Sequence, residues 1–234
     1  MDFKPSPNFN ARRKGPISHL ILHYTGMETA KSALARLRDP VAEVSAHYFI
    51  EENGRMTQLV DEAHRAFHAG QSFWAGEDDI NSTSIGIEIV NPGYEFGYRE
   101  FPKKQIKAVI QLCRGIIARN PGIAPHHVLA HSDIAPARKM DPGELFPWKE
   151  LASEGVGIYP PDEVDIEFLP YNEVTVTERL SVYGYNPAEM PTVLFTAFQR
   201  HFRPSKVTGE WDDDCQARLT WLLEQKHQLQ AAIS

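Results

Sequence analysis

The fold is decided by one stretch of sequence, Ile17-Ser18-His19-Leu20-Ile21-Leu22-His23. It is apolar almost throughout and rich in branched side chains, which predicts a buried strand. Residues 84–90 predict a second strand, with three isoleucines on one face and Glu88 on the other. Residues 128–131 predict a third. The first and third strands each end in a histidine, so two imidazoles are expected where the sheet opens to a cleft.

Helices alternate with these strands along the chain. Residues 103–120 predict the clearest helix, because apolar side chains recur at three- and four-residue steps and Pro121-Gly122 ends the pattern. A shorter helix is predicted over residues 29–38. Residues 46–60 predict a hairpin that turns at Asn53-Gly54. Strands interleaved with helices over about 150 residues predict an α/β domain built on one central sheet.

The composition changes after Trp148. We predict that residues 1–154 form the α/β domain and that residues 155–173, rich in Pro, Gly and acids, form a linker. Residues 174–234 carry three apolar stripes at helical spacing, which predicts a small all-α domain of three helices. A unit of about 60 residues is marginally stable alone, so we expect it to pack on the first domain.

The overall charge excludes some classes of partner. The formal net charge is −7, which argues against binding to nucleic acid or to an anionic membrane surface. No apolar stretch is long enough to span a bilayer, and the N-terminus has no continuous apolar segment of the kind found in secretory signals. The expectation is a cytoplasmic protein for the chain as written, and a periplasmic or cell-envelope protein if a leader has been removed.

Two histidines and an aspartate are candidate metal ligands. His23 and His131 end predicted strands, and Asp141 lies in the turn-forming stretch Arg138-Lys139-Met140-Asp141-Pro142-Gly143. Two imidazoles and one carboxylate leave the fourth position of a tetrahedral zinc site free for water, as in catalytic zinc sites. Their spacing has no short zinc signature, so two core histidines that meet by chance remain an alternative on the pattern alone.

Six ordered segments strengthen the metal hypothesis. They are Leu20-Ile21-Leu22-His23-Tyr24-Thr25, Val44-Ser45-Ala46-His47-Tyr48, Phe67-His68-Ala69-Gly70, Thr83-Ser84-Ile85-Gly86-Ile87-Glu88-Ile89, Ala130-His131-Ser132-Asp133-Ile134-Ala135 and the Asp141 stretch quoted above. Together they resemble the zinc-dependent N-acetylmuramoyl-L-alanine amidases of the phage-lysozyme and peptidoglycan-recognition superfamily, in particular its AmpD/AmiD-type bacterial branch. The resemblance covers residues 17–150 and implies a central mixed β-sheet flanked by helices.

The resemblance also implies roles for five residues. It implies that His23, His131 and Asp141 bind Zn²⁺, that Glu88 is the catalytic acid and base, and that Lys139 stabilises the transition state. Desolvation by the flanking isoleucines would raise the pKa of Glu88 toward that of a working base, whereas a carboxylate facing water is the alternative. Without the surrounding pattern, Lys139 would be read as a solvated lysine.

A substrate groove is predicted beside these residues. Its candidate lining residues are His47, Phe67, His68, Trp74 and Asn91. Aromatic side chains of this kind are more often part of a core.

The C-terminal unit carries a shorter resemblance. The segments Leu180-Ser181-Val182-Tyr183-Gly184-Tyr185, Ala197-Phe198-Gln199-Arg200-His201-Phe202 and Thr208-Gly209-Glu210-Trp211-Asp212 are similar to the three-helix peptidoglycan-binding domain of cell-wall hydrolases. The alternative is a helical cap that only stabilises the first domain.

The predicted activity is hydrolysis of the amide between N-acetylmuramic acid, or its 1,6-anhydro form, and L-alanine, with peptidoglycan or a muropeptide as substrate. A non-catalytic peptidoglycan-recognition module on the same fold is the rival hypothesis. Such a module is expected to lack a ligand or the base, whereas this chain retains all five residues. A zinc peptidase acting on the stem peptide is a further rival.

Overall fold

A mixed six-stranded sheet forms the centre of the computed structural model, which describes residues 1–164 and 170–231. Its strands lie in the order β1 (Asp2–Phe3), β5 (Met56–Gln58), β4 (Tyr48–Ile50), β7 (Ser84–Ile89), β3 (His19–Tyr24) and β8 (Val128–Ala130). The three central strands β4, β7 and β3 are parallel, as are β3 and β8. Strands β4 and β5 form the predicted antiparallel hairpin. A separate ribbon pairs β2 (Phe9–Ala11) with β6 (His64–Ala66).

Helices cover both faces of this sheet, which confirms the predicted α/β class. In chain order they are α1 (Ala30–Arg36), α2 (Ile80–Thr83), α3 (Gly93–Phe96), α4 (Lys103–Arg119), α5 (His131–Ile134), α6 (Trp148–Ser153), α7 (Glu173–Tyr183), α8 (Pro191–Phe202) and α9 (Asp213–Ala231), with a 3₁₀ turn at Pro125–His127. The elements β1, β2, β6, α2, α3, α5 and α6 were not predicted, because their short segments carry neither a continuous apolar run nor a repeat long enough to indicate a strand or a helix.

The alternation of side chains along the strands separates two cores. Leu20 and Leu22 of β3 join the isoleucines of β7 and the apolar stripe of α4 in a first core on one face of the sheet. Ile21 points to the opposite face and belongs to a second core. His23 has the same parity as Ile21, as does Glu88 opposite it in β7, so the candidate site lies on the face away from α4.

The second core joins the two predicted domains. Ile21, Trp74 and Leu129 of the α/β domain pack with Leu180, Leu194, Phe198 and Leu219 of helices α7, α8 and α9. The helical unit therefore packs on the first domain, as expected from its size. Residues 165–169 of the predicted linker and residues 232–234 of the predicted helical domain lie outside the described residues. Within the described ranges, no helix combines the length and the apolar character that a membrane crossing requires.

Candidate active site

The three candidate ligands meet at one edge of the sheet although they are distant in sequence. His23 is the penultimate residue of β3, and His131 opens α5 directly after β8, rather than ending that strand as predicted. Since β3 and β8 are parallel neighbours, with Leu22 paired to Ala130, both imidazoles emerge at the same carboxyl edge. Asp141 reaches this point from the turn after α5. All three side chains are buried.

Three ligand atoms converge here. The Nδ1 atoms of His23 and His131 are 2.9 Å apart, and each lies 3.0 Å from Oδ2 of Asp141. A proton on one Nδ1 can serve only one neighbour, so hydrogen bonds alone do not explain the triangle. Zinc bonds of about 2.0–2.1 Å in a tetrahedron hold ligand atoms about 3.3 Å apart, close to this spacing. Within residues 1–164 and 170–231, these three are the only such cluster of possible metal ligands.

The protonation states of the cluster also suit a cation. Burial lowers the pKa of His23 to about 4, and the neighbouring His131 acts in the same direction, so the His23 ring is neutral at pH 7. Burial by itself would raise the pKa of Asp141, but the two histidines outweigh it and hold that pKa below its ordinary value. Neutral imidazole and ionised carboxylate are the forms that bind zinc. The residues present therefore fit a zinc ion.

Each imidazole is oriented by a partner on its other nitrogen. Nε2 of His131 lies 3.1 Å from the carbonyl oxygen of Ala69, to which it donates. Nε2 of His23 lies 3.1 Å from Nδ1 of His68, and Nε2 of His68 lies 3.1 Å from Oγ of Ser84. The Ser84 hydroxyl donates to the carbonyl of Ile80, so it accepts from His68, which leaves Nδ1 of His68 as the acceptor for His23. In this tautomer each imidazole would present its Nδ1 lone pair to a cation bound between the two rings and Asp141.

Gly86 makes room for this relay. A Cβ atom at residue 86 would lie 2.3 Å from Cγ of His68, so only glycine lets the His68 ring lie against β7. The amide of Gly86 donates to Nδ1 of His47, at 3.0 Å. His47 is fully buried behind the site, and burial lowers its pKa to about 4.

Glu88 lies beside the ligands, opposite His23 in the pairing of β7 with β3. Its Oε2 atom is buried without a hydrogen-bond partner among the described residues. The pKa of Glu88 is raised to about 8, mainly by burial and also by the nearby Asp141 carboxylate, while Lys139 acts in the opposite direction. A carboxylate with an unpartnered oxygen and a raised pKa has the properties of a general base.

A groove of about 400 Å³ opens over these residues. Its lining includes Glu88, His131, Asp141 and the half-buried Lys139, all four from the predicted set. A volume of about 300–1,000 Å³ is typical of small-molecule sites.

The structure places some of the five predicted groove residues at the groove and others elsewhere. Phe67 and His68 line the groove. Trp74 does not: it is fully buried in the second core, with its ring centroid 4.9 Å from that of Tyr185. In that core Trp74 packs with Leu129 of β8, Ile134 of α5 and the apolar side chains of the helical unit. His47 and Asn91 are also buried away from the groove, where Asn91 donates to the carbonyl of Arg99 at 2.7 Å.

Several residues that line the groove were not predicted from the sequence. Tyr24, Arg36, Tyr94 and Arg138 line the groove. Tyr24 and Arg138 lie within two of the six quoted segments, whereas nothing in the local pattern of Arg36 or Tyr94 distinguishes them from ordinary surface residues. Gly86 did carry a signal, because a glycine inside a strand of branched residues indicates a close approach by another group.

Fold and site together define the class: an α/β protein with a His–His–Asp cluster, a buried carboxylate and a groove beside them. Residues 13–144 match the model of the N-acetylmuramoyl-L-alanine amidase family, Amidase_2. The chain belongs to this family.

Two named relatives match different shares of the chain. The chain is 41% identical to the N-acetylmuramoyl-L-alanine amidase AmiD of Escherichia coli (strain K12), over 89% of this chain and 83% of AmiD. It is 38% identical to the 1,6-anhydro-N-acetylmuramyl-L-alanine amidase AmpD of Haemophilus influenzae, over 47% of this chain and 58% of AmpD.

Solved structures agree with this grouping. AmiD in complex with anhydro-N-acetylmuramic acid-L-Ala-D-gamma-Glu-L-Lys superposes with a TM-score of 0.79 at 40% identity, covering 89% of each chain. AmpDh3 from Pseudomonas aeruginosa in complex with anhydromuramic pentapeptide has a TM-score of 0.80 at 36% identity, covering 90% of this chain and 92% of AmpDh3. Both matches extend well past the α/β domain, so the helical unit is part of the shared architecture.

Proposed function

We propose that this chain is a zinc-dependent amidase that hydrolyses the bond between the lactyl group of N-acetylmuramic acid, or of its 1,6-anhydro form, and L-alanine. The observation that carries the proposal is the convergence of His23, His131 and Asp141 next to the unpartnered carboxylate of Glu88, inside a groove, in a member of the amidase family.

His23, His131 and Asp141 would hold the metal. When bound, zinc would lower the pKa of a water molecule to about 7 and polarise the scissile carbonyl. The outer hydrogen bonds to His68 and Ala69 keep the two imidazoles in the tautomer that presents Nδ1 to the ion.

Glu88 and Lys139 would move the proton and stabilise the charge. Ionised Glu88 accepts a proton from the attacking water, and it then donates that proton to the nitrogen of the departing alanine. The ammonium of Lys139 lies near enough to lower the pKa of Glu88, on the wall of the same groove. It can therefore meet the negative charge that develops on the carbonyl oxygen.

The substrate class follows from the relatives. AmiD and AmpDh3 are solved with anhydromuramyl peptides, so we propose a muropeptide, free or within peptidoglycan, as the ligand of this groove. The rival, a recognition module without activity, is disfavoured because the ligands and the base are all present and assembled.

Mass spectrometry of the products tests this function. Intact sacculi and purified anhydro-muropeptide are incubated with the protein, with and without a chelator. We expect release of a stem peptide that begins with L-alanine, and loss of that release with the chelator. Cleavage inside the stem peptide would instead support a peptidase, and chelator-resistant turnover would remove the metal from the mechanism.

We also propose that residues 1–154 are the catalytic domain, that residues 155–173 link it to the rest, and that residues 174–234 bind polymeric peptidoglycan. A second contact would raise the effective concentration of the active site near the polymer. Deleting the helical unit is a poor test, since it would uncover Trp74 and the rest of the second core.

The intact chain offers a cleaner test of polymer binding. The inactive Glu88→Ala protein is bound to sacculi, and soluble anhydro-muropeptide is added until the groove is saturated. Residual binding is the expected result if the helical unit contacts the polymer. Complete displacement would identify the unit as a stabilising cap.

A further inference from the structure

Asp133 is a fully buried carboxylate two residues after the candidate ligand His131. Its Oδ2 atom accepts from the amide of Ala130 at 2.8 Å and from Nδ1 of His201 at 2.7 Å. Its Oδ1 atom accepts from the hydroxyl of Tyr185 at 2.8 Å. A buried carboxylate is costly unless donors satisfy it, so these partners hold Asp133 in one position.

The donors come from both parts of the protein. Ala130 ends β8, directly before His131, whereas Tyr185 follows α7 and His201 lies in α8. Asp133 therefore links the backbone that presents a candidate ligand to the helical unit, across the sequence linker.

Helix α8 also contacts the C-terminal end of residues 131–148, the segment that carries the candidate ligands His131 and Asp141. The ring of His201 stacks on Trp148, with centroids 3.8 Å apart and an interplanar angle of 27°. Trp148 opens α6 and closes the turn region that carries Asp141. The neighbouring Arg200 places its Nε atom 4.0 Å from Oε2 of Glu144, three residues after Asp141. One helix thus supports residues 131–148 at both ends.

We propose that Asp133, His201 and Tyr185 are positioning residues for the metal site, and that the helical unit is an integral part of that site. The inference rests on the proposed metal-binding function. Because Asp133 accepts a hydrogen bond from the amide of Ala130, it fixes the start of α5 and the backbone position from which the His131 side chain extends. A metal centre tolerates displacement of a ligand by only about 0.5 Å. Support from α8 therefore acts on the affinity for the metal and on the rate of the chemical step.

The primary test is the isosteric variant Tyr185→Phe in the intact chain. It removes the hydroxyl that donates to Asp133 and keeps the ring in the second core. The matched control is Tyr183→Phe, which removes a hydroxyl from the same aromatic cluster. The ring centroids of Tyr183 and Trp74 are 5.8 Å apart. The zinc dissociation constant is measured by competition with a chromophoric chelator. We expect it to rise about tenfold in Tyr185→Phe and to stay at the parental value in Tyr183→Phe.

A second pair of variants separates the hydrogen bond of His201 from its packing. In His201→Asn the amide can still donate to Asp133 from near the place of Nδ1, whereas His201→Leu fills the space without a donor. We expect His201→Leu to raise the zinc dissociation constant about tenfold or more and to lower kcat, with KM on muropeptide within about twofold of the parent. His201→Asn should recover most of both losses.

Leu219→Ala controls for general loss of stability, because Leu219 is fully buried in the second core and its apolar side chain makes no hydrogen bond to residues 131–148. It should lower Tm while leaving zinc affinity unchanged. Parental zinc affinity in both Tyr185→Phe and His201→Leu would overturn the inference, as would an equal loss of affinity in Leu219→Ala. A parent chain that binds no zinc would instead overturn the proposed metal site, and the inference with it.

Discussion

Replacement of Gly86 by alanine is expected to damage the metal site without touching a ligand. Its backbone is extended, so alanine costs nothing in conformation, and the whole effect comes from the added methyl group. That Cβ would lie 2.3 Å from Cγ and 2.5 Å from Nδ1 of His68. Carbon atoms in contact are about 3.5–4.0 Å apart, so the ring must retreat by more than about 1 Å.

Any retreat of the His68 ring would break contacts that hold it in place. Its amide is held by Oδ1 of Asn81 at 3.0 Å, and its two nitrogens contact His23 and Ser84. Overpacking costs about 1–3 kcal/mol, and a buried partner left unsatisfied costs about 1–3 kcal/mol more, so we expect a loss of about 2–6 kcal/mol in unfolding free energy. Loss of the outer partner of His23 should weaken zinc binding about 10- to 100-fold.

Chemical denaturation and chelator competition measure these two losses. Gly115→Ala is the matched control: residue 115 is exposed in the interior of α4, where alanine should stabilise the protein by about 0.5–1 kcal/mol and leave zinc affinity unchanged. The double variant Gly86→Ala/His68→Ala relieves the clash and should be more stable than additivity predicts. If Gly86→Ala keeps parental stability and parental zinc affinity, the account of the His68 relay is wrong.

Four further predictions concern the proposed metal ligands and catalytic residues. His131→Ala leaves two ligands and should abolish zinc content and turnover; full zinc occupancy by elemental analysis would contradict the ligand assignment. Glu88→Gln should retain zinc while losing about 10²- to 10⁴-fold in kcat, and parental turnover would exclude Glu88 as the base. The pKa of Glu88 is about 8 in the folded protein and 4.5 ordinarily, so its carboxyl group stays protonated in the folded state between these two pH values. The metal-free parent should therefore lose stability as the pH rises from 4.5 to about 8, whereas Glu88→Gln should not. Parallel curves of Tm against pH for the two proteins would refute this. Lys139→Met should lower kcat about 10²- to 10³-fold with little change in KM, whereas a loss confined to KM would assign Lys139 to substrate binding.

The strongest sequence predictions concerned elements with long periodic signals. The helix predicted over residues 103–120 forms as Lys103–Arg119, and the strand predicted over residues 84–90 forms as Ser84–Ile89. The strand predicted over residues 17–23 is shifted and shortened to His19–Tyr24. Strand ends depend on which neighbours continue the ladder, and that information lies elsewhere in the chain.

The candidate ligands could be named from sequence because their motifs are local. An imidazole at the end of an apolar run, and an aspartate in a turn that follows, are visible without coordinates. Trp74 shows the opposite case: its local pattern equally allowed a groove residue and a core residue. Only the packing of α7, α8 and α9 against β8 and α5 decided that it belongs to the second core.

The sequence by itself determined the class of fold, the family and the candidate donor set of a metal site, because periodicity and short motifs are properties of neighbouring residues. Only the tertiary structure decided which residues hold the candidate ligands in position. The relay from His23 through His68 to Ser84 and the hold of His201 on Asp133 join residues 16–68 positions apart. Contacts at such separations arise only when the chain folds, since no local rule relates the two residues. Tertiary structure thereby brings Tyr185 and His201 of the helical unit into hydrogen bonds with Asp133, two residues from the candidate ligand His131.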